Sequence, residues 1–304
     1  MGREVFKSGL IAIVGRPNVG KSTLLNQLLG QKISIVSPKP QTTYFRIAGI
    51  KTLPNAQMVF LDTPGVYSGG SGFHRRLSRI AFQALQETDL VLWIVEPRAE
   101  LDPDERTLLR GIERAGRPTF LLINKVDLLP NKERILPLIS QFSSLGPFAE
   151  IVPVSALRKE NLDRLEELII KYLPVGAPLY PEGEITDQSE RVLSAEFIRE
   201  KIFQQVHHEV PYAVAVSIEE FKERKEQSIV FIQAALYVEK ESQKAILIGK
   251  KGEKLKQIGE SARREIEILI GSKVFLRLWV KVKKGWRNDA EALKQLGYGS
   301  DKTA

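Results

Sequence analysis

Short apolar runs recur through the first half of the chain, at 10–14, 47–53, 58–61, 90–96, 119–123 and 151–154, and each reads as a buried strand. Between them apolar positions return at helical spacing, as over 102–115 and 162–172. Strand alternating with helix over 8–173 predicts a mostly parallel, doubly wound α/β sheet covered on both faces. The pattern then changes. Prolines and glycines crowd 174–184, which reads as a linker. Beyond it the spacing predicts an amphipathic helix over 190–205. A strand pair follows at 213–221 and 228–238, with a charged segment, 222–226, between its members. A short helix at 243–248, a long one at 253–270 and a last strand at 274–282 complete an α+β unit. The expected division is a first domain over 1–175, a linker over 176–189 and a second domain with a tail over 190–304.

The first apolar run leads directly into Gly15-Arg16-Pro17-Asn18-Val19-Gly20-Lys21-Ser22, and a helix is expected from Thr23 onward. This strand–loop–helix context is what a G-x-x-x-x-G-K-[ST] phosphate loop requires. Its backbone amides curl around phosphate oxygens, and the helix N-terminus adds positive charge. Lys21 is expected to reach the β- and γ-phosphates, and Ser22 to ligate Mg²⁺.

The base is read from the end of the fifth run, Asn124-Lys125-Val126-Asp127. A carboxylate at Asp127 accepts two hydrogen bonds from guanine, at N1–H and the 2-amino group. Adenine lacks both donors and would leave that carboxylate desolvated and unpaired. Asn124 and Lys125 are expected to brace the loop and cover the base. Ser155-Ala156-Leu157, after the sixth run, matches a loop that completes such a pocket. Asp62-Thr63-Pro64-Gly65 follows the third run. Asp62 is expected at Mg²⁺, and the Gly65 amide at the γ-phosphate. The flexible stretch 68–72 comes next, where a nucleotide-sensing switch would move.

Composition narrows the remaining choices. The chain has no cysteine, which excludes disulfides and thiol catalysis and fits a reducing cytoplasm. No apolar run is long enough for a membrane span. His74, His207 and His208 form no metal-ligand cluster and read as surface or loop residues. The net charge of +8 is concentrated: residues 240–287 hold 14 Lys and Arg against 5 Asp and Glu, a local +9. Within that window lies Gly249-Lys250-Lys251-Gly252, between two expected helices and behind apolar Ile246, Leu247 and Ile248. A G-x-x-G loop so placed clamps a short single-stranded RNA backbone. Ile248, Gly249, Lys250, Lys251, Gly252 and Lys254 are the expected contacts, and Lys281 and Lys283 flank the last strand as further phosphate contacts. Trp93, Trp279 and Trp286 read as packing residues.

The order of these motifs resembles translation-factor-type GTPases. Gln41-Thr42-Thr43 and Asp62-Thr63-Pro64-Gly65-Val66 resemble the bacterial Era family, and the second-half element order resembles its type II KH domain. The tail from Gly285-Trp286 to Leu296-Gly297-Tyr298 is similar too. The resemblance implies a P-loop GTPase domain followed by a KH domain, using GTP, GDP and Mg²⁺. Thr43 would be the third metal ligand beside Ser22 and Asp62, and Lys21, Thr43 and Gly65 the catalytic set. It further implies 16S ribosomal RNA, near its 3′ end, and the small ribosomal subunit as partners. It also implies association with the inner face of the membrane, where contact is expected to be peripheral because the sequence shows no anchor; nothing in the sequence demands more than a monomer, and the expected location is the cytoplasm. Many GTPases carry a water-positioning glutamine after the D-x-x-G glycine. Here Val66 stands there and cannot orient water, so slow hydrolysis or another device is expected. In related GTPases an asparagine at the position of Asn18 helps bind K⁺, which would place positive charge at the phosphates. Two other readings fit the residues: an RNA chaperone with structural GTP, and a membrane-associated regulatory GTPase.

Overall fold

The computed structural model describes residues 5–37, 39, 42–67, 69, 72–98, 100–224 and 229–296. Gln41, most of the 68–72 stretch, part of the 222–226 segment, and Gly297 and Tyr298 of the tail lie outside the described residues. The chain forms two compact units. One comprises Met1–Ser34 and Thr43–Asp187, the other Ile35–Thr42 and Gln188–Ala304.

The first unit is built on six strands: β1 (Lys7–Gly15), β2 (Ile47–Leu53), β3 (Ala56–Asp62), β4 (Leu90–Val95), β5 (Thr119–Ile123) and β6 (Glu150–Pro153). Their order is β2-β3-β1-β4-β5-β6, with only β2 antiparallel to its neighbour. β3, β4 and β5 are buried along their whole lengths, as expected of a sheet with both faces covered. Alternate residues of β1 feed two cores. Ile11 and Ile13 pack with Leu24, Leu25 and Leu28 of α1 (Lys21–Leu29) and with Leu165 and Ile169 of α5 (Leu162–Tyr172). Ala12 and Val14 pack on the other face with Ala81 and Leu85 of α2 (Gly72–Glu87), Leu108 and Ile112 of α3 (Pro103–Ala115), and Phe142 of α4 (Ile135–Ser143). Local chemistry sets the boundaries. Asp102 caps α3 by accepting from the Glu105 N–H, Glu105 returns the bond, and Pro103 opens the first turn.

The stretch expected as a linker is held along this sheet. Gly176 N–H donates to Phe6 O, the Ser8 hydroxyl to Ala177 O, and the Leu179 and Tyr180 amides to the buried Gln57 side chain. Ile50 N–H donates to Ile185 O and Ala48 N–H to the Asp187 carboxylate.

The second unit carries α6 (Glu190–Gln205), β7 (Ala215–Arg224), β8 (Ile229–Val238), α7 (Glu241–Ile248), α8 (Glu253–Ile270), β9 (Lys273–Val282) and a short α9 (Ala290–Gln295). The sheet order is β7-β8-β9, antiparallel then parallel. Two expectations need correction. β7 continues through Arg224, so residues 222–224 of the expected charged connection are strand. α6 is not amphipathic: Leu193, Ser194 and every residue from Glu196 to Phe203 are buried. Charge on nearly all sides is tolerated because it is paired, Arg199 with Glu196 and Lys201 with Glu200 and Glu265. Residues of 35–42 account for further partners. Val36 N–H donates to Glu200 Oε1 at 2.7 Å, Arg199 donates to Thr42 O, and the Lys39 ammonium donates to Phe203 O and Val206 O at the end of α6.

Candidate functional site

Four loops leave the C-terminal ends of β1, β3, β5 and β6, the edge where open α/β sheets bind ligands. The first wraps from Gly15 to Gly20 into α1. No side chain caps α1 and its first turn holds no carboxylate, so its N-terminus remains a site for an anion. Gly20 is required twice. Its φ of 104° lies in the left-handed region, and a Cβ there would sit 2.3 Å from Asn124 Nδ2. Arg16 pairs with Asp102, Pro17 packs on Gly65, Val19 is buried and Thr23 lies half-buried in the first turn of α1. Asn18 is exposed with φ 64°.

Lys21 folds back across this loop and donates to Gly15 O at 3.1 Å and Arg16 O at 2.8 Å. Burial lowers its pKa to about 8, with the Asp62 charge opposing the shift. The same burial raises the Asp62 carboxyl above its ordinary value. Lys21 and hydrogen bonds from Ser34, Ser22 and Thr63 act against that rise.

Asp62 is fully buried. Its Oδ2 accepts from Ser22 Oγ and Ser34 Oγ, each at 2.7 Å, and Thr43 Oγ1 lies 3.3 Å from Ser22 Oγ. Its Oδ1 has no partner among the described residues. An orphaned carboxylate oxygen beside two converging hydroxyls is a hard-oxygen donor set of the kind Mg²⁺ takes, so the residues fit that ion. Among the described residues no cluster of His, Cys, Asp and Glu offers a competing metal site. Ser34 was not singled out by the sequence. It lies far from any motif, and Asn26, which binds the Ile33 and Ser34 amides and Ser34 O, holds its turn in place.

The base-recognition loops are cross-braced. Asn124 Nδ2 donates to Val19 O at 2.7 Å, and its Oδ1 accepts the Ala156 N–H at 2.9 Å. One side chain thereby ties the loops after β1, β5 and β6 together. The Ser155 hydroxyl donates to Asp127 at 2.5 Å and accepts the Arg158 N–H. Lys125, at φ 63°, pairs with Glu96, a residue to which no sequence motif points. Leu157 is exposed. Thr63 donates to Ile13 O, and a Cβ on Gly65 would meet Pro17 at 2.7 Å, so the loop after β3 lies against the phosphate loop. Val66 is fully buried, in the core cluster that holds Ala12, Val14 and Trp93.

In the second unit the Gly249–Gly252 turn joins α7 to α8. Gly249 adopts φ 71°, and a Cβ there would press on Lys254 at 2.6 Å. Lys250 and Lys251 are exposed, while Ile248 and Lys254 are half-buried beside them. Two expected contacts lie elsewhere. Lys281 points from the sheet face opposite the helices and pairs with Glu219, because odd positions of β9 face away from α8. Lys283 binds Gln295 of α9. The tryptophans divide likewise. Trp93 and Trp286 are packing residues, but Trp279 is 43% exposed on that same open face.

A family model described as 50S ribosome-binding GTPase matches residues 10–125, and a KH domain model matches 209–287. GTPase Era of Geotalea uraniireducens is 50% identical over 298 residues, covering 98% of this chain and all of that protein. GTPase Era of Nitrosomonas eutropha is 48% identical over 299 residues, with the same coverage. Among solved structures, an Aquifex aeolicus Era variant bound to GDP and aluminium fluoride matches with a TM-score of 0.93 at 43% identity, covering 97% of this chain and all of that one. A structure of Era with MgGDPNP and nucleotides 1506–1542 of 16S ribosomal RNA matches equally. Similarity of this degree along the full length means that the chain, a GTP-hydrolysing P-loop domain followed by a KH domain, belongs to the Era family of GTPases.

Proposed function

We propose that this GTPase is a Mg²⁺-dependent switch that binds small-subunit ribosomal RNA near its 3′ end through the Gly249–Gly252 turn and acts in assembly of that subunit. The observation that carries the nucleotide half is the buried Asp62 with one oxygen unpartnered beside Ser22 and Thr43. The RNA half is supported by the exposed lysines of the turn and by the relative solved with a 16S ribosomal RNA fragment. In this reading the chain acts as a cytoplasmic monomer. No helix among the described residues is long and apolar enough to cross a membrane, so a contact there would be peripheral.

The reaction is attack of water on the γ-phosphate, giving GDP and phosphate, and catalysis is mostly positioning and charge neutralisation. The backbone N–H groups between Gly15 and Thr23, of which Pro17 has none, surround the phosphates. Lys21 exchanges its two carbonyl partners for β- and γ-phosphate oxygens. Ser22, Thr43 and Asp62 would hold Mg²⁺, which when bound supplies positive charge against those oxygens. The Gly65 amide faces the γ-phosphate. Asp127, oriented by Ser155, selects guanine, with Asn124, Lys125, Ala156 and Leu157 framing the base.

Asp127→Asn replaces a double acceptor with a mixed donor and acceptor. GTP affinity is expected to fall by 10²-fold or more (an order-of-magnitude figure), and xanthine nucleotides to bind in its place. Unchanged GTP binding in a fluorescence titration would remove Asp127 from the pocket. For the RNA half, the full chain loaded with a non-hydrolysable GTP analogue or with GDP is crosslinked to total cellular RNA and the trapped RNA sequenced. A GTP-favoured peak near the 3′ end of small-subunit ribosomal RNA supports the switch. No enrichment over a Gly249→Asp, Gly252→Asp double variant overturns it.

A further inference from the structure

Among the described residues, the helices of the second unit cover one face of its three-stranded sheet and leave the other open. On the covered face Val230, Ile232, Ala234, Leu236 and Val238 of β8 are buried in the core. The open face has an unusual composition. Phe275 is 56% exposed and stacks on Phe231, with ring centroids 5.4 Å apart and planes 9° from parallel. Four residues further along β9, Trp279 lies under the Arg277 guanidinium, 4.8 Å from the ring centroid. Lys281 lies 5.9 Å over the Tyr237 ring. At about 3.3 Å per residue, Phe275 and Trp279 form two flat stations roughly 13 Å apart. Large exposed aromatics cost hydration free energy, so a run of them on an uncovered sheet points to a partner.

The charges indicate which partner. Register puts Lys222 across from Phe231, and Gln233 across from both Glu220 and Arg277. The face therefore holds Lys222, Lys273, Arg277 and Lys281 against Glu219 and Glu220. Lys281 neutralises Glu219 and Lys222 neutralises Glu220. Lys273 and Arg277 have no carboxylate partner among the described residues. Aromatic faces interleaved with uncompensated cations, on a flat sheet, are the arrangement on which unpaired bases stack while their phosphates meet lysine and arginine. We infer that this open face, with Phe275 and Trp279 as base platforms and Lys273 and Arg277 as phosphate contacts, is a second binding surface for single-stranded RNA, separate from the Gly249–Gly252 turn. The inference rests on the proposed RNA-binding role of this unit. The two surfaces together would engage a longer RNA than the about four nucleotides that a G-x-x-G loop clamps.

Trp279 also provides the readout. Trp93 and Trp286 are buried, so Trp279 is the tryptophan that a quencher or a stacked base can reach. The full chain is titrated with unstructured single-stranded RNAs of about 5 and about 15 nucleotides, following tryptophan emission and anisotropy of an end label. Only the longer RNA is expected to quench Trp279. A Phe275→Ser, Trp279→Ser double variant is expected to bind it about tenfold more weakly, with little change for the short RNA. Unstimulated GTP hydrolysis and the melting temperature of that variant serve as checks on its fold. Arg277→Gln is expected to weaken long-RNA binding without altering either aromatic. Equal long-RNA affinity in the double variant, with no quenching in the parent, overturns the inference and leaves the face to a protein partner. If neither RNA binds the parent chain, the RNA role itself fails and the inference with it. Gly249→Asp, Gly252→Asp losing the short RNA separates the two failures.

Discussion

At the scale of single residues, the Lys21–Asp62 pair carries a pH signature. Burial holds Lys21 near 8 against an ordinary 10.5. Its folded pKa is depressed, so between these values the unfolded chain holds a proton that the folded one has released. The cost of burying the ammonium is therefore present in full below about pH 8 and is relieved as pH rises toward 10.5. Phosphate oxygens reverse the shift. GDP binding at about pH 8.5–9 without Mg²⁺ is thus expected to take up a substantial fraction of a proton, measured by calorimetry in buffers of different ionisation heat. A buffer-independent heat would show that Lys21 is already fully charged. Asn18 carries a second prediction. Its left-handed backbone and exposure suit either a tight turn or a K⁺ contact at the phosphates. Hydrolysis is expected to run several-fold faster in potassium than in sodium, an order-of-magnitude expectation from charge placed at the transition state. Equal rates would leave Asn18 as a turn residue.

At the scale of elements, the segment 35–42 and the helix α6 explain each other. The last carbonyls of a helix lack intrahelical partners and attract cations. Lys39 supplies one cation to both Phe203 O and Val206 O, and burial there lowers its pKa. Glu200 and Arg199, charged residues inside a buried helix, are likewise satisfied by the Val36 amide and Thr42 carbonyl. Lys39→Ala is expected to cost about 1 kcal/mol and to speed hydrogen exchange across the described part of 35–42, with less effect on β1 and β3. Protection unchanged in that segment would show that other interactions hold it. Periodicity gave this helix its bounds but could not foresee its burial. Its polar positions read as a solvated face, whereas their partners come from a segment about 160 positions away in sequence.

At the scale of the molecule, the two compact units are not consecutive in sequence. Residues 35–42 belong with the second, while Ser34 and Thr43 on either side lie at Asp62 and Ser22 in the first. The concentration of charge also has a measurable consequence. RNA affinity is expected to fall steeply with salt, and Lys250→Gln, Lys251→Gln should lower the slope of log K against log salt by about 0.7 for each phosphate no longer neutralised. A slope identical to that of the parent would place the phosphate-binding cations elsewhere on the chain.

The sequence by itself determined the strand–helix alternation, the phosphate loop, the base-selecting Asp127 and the Gly249–Gly252 turn. In each, local spacing encodes the chemistry: apolar runs bury, glycines admit close backbone approach, and motif residues are near neighbours. Only the tertiary structure decided the rest. Ser34 at Asp62, Glu96 at Lys125, Lys39 at the end of α6, and the attachment of 176–187 along the first sheet all join residues distant in the chain. The exposure of Trp279 was hidden for a related reason. Alternation along β9 puts Trp279 on the face of Lys273, Arg277 and Lys281, opposite aliphatic Val274, Leu276, Leu278, Val280 and Val282. Whether another element covers that charged face is decided by packing, which sets α6 and α8 on the aliphatic side.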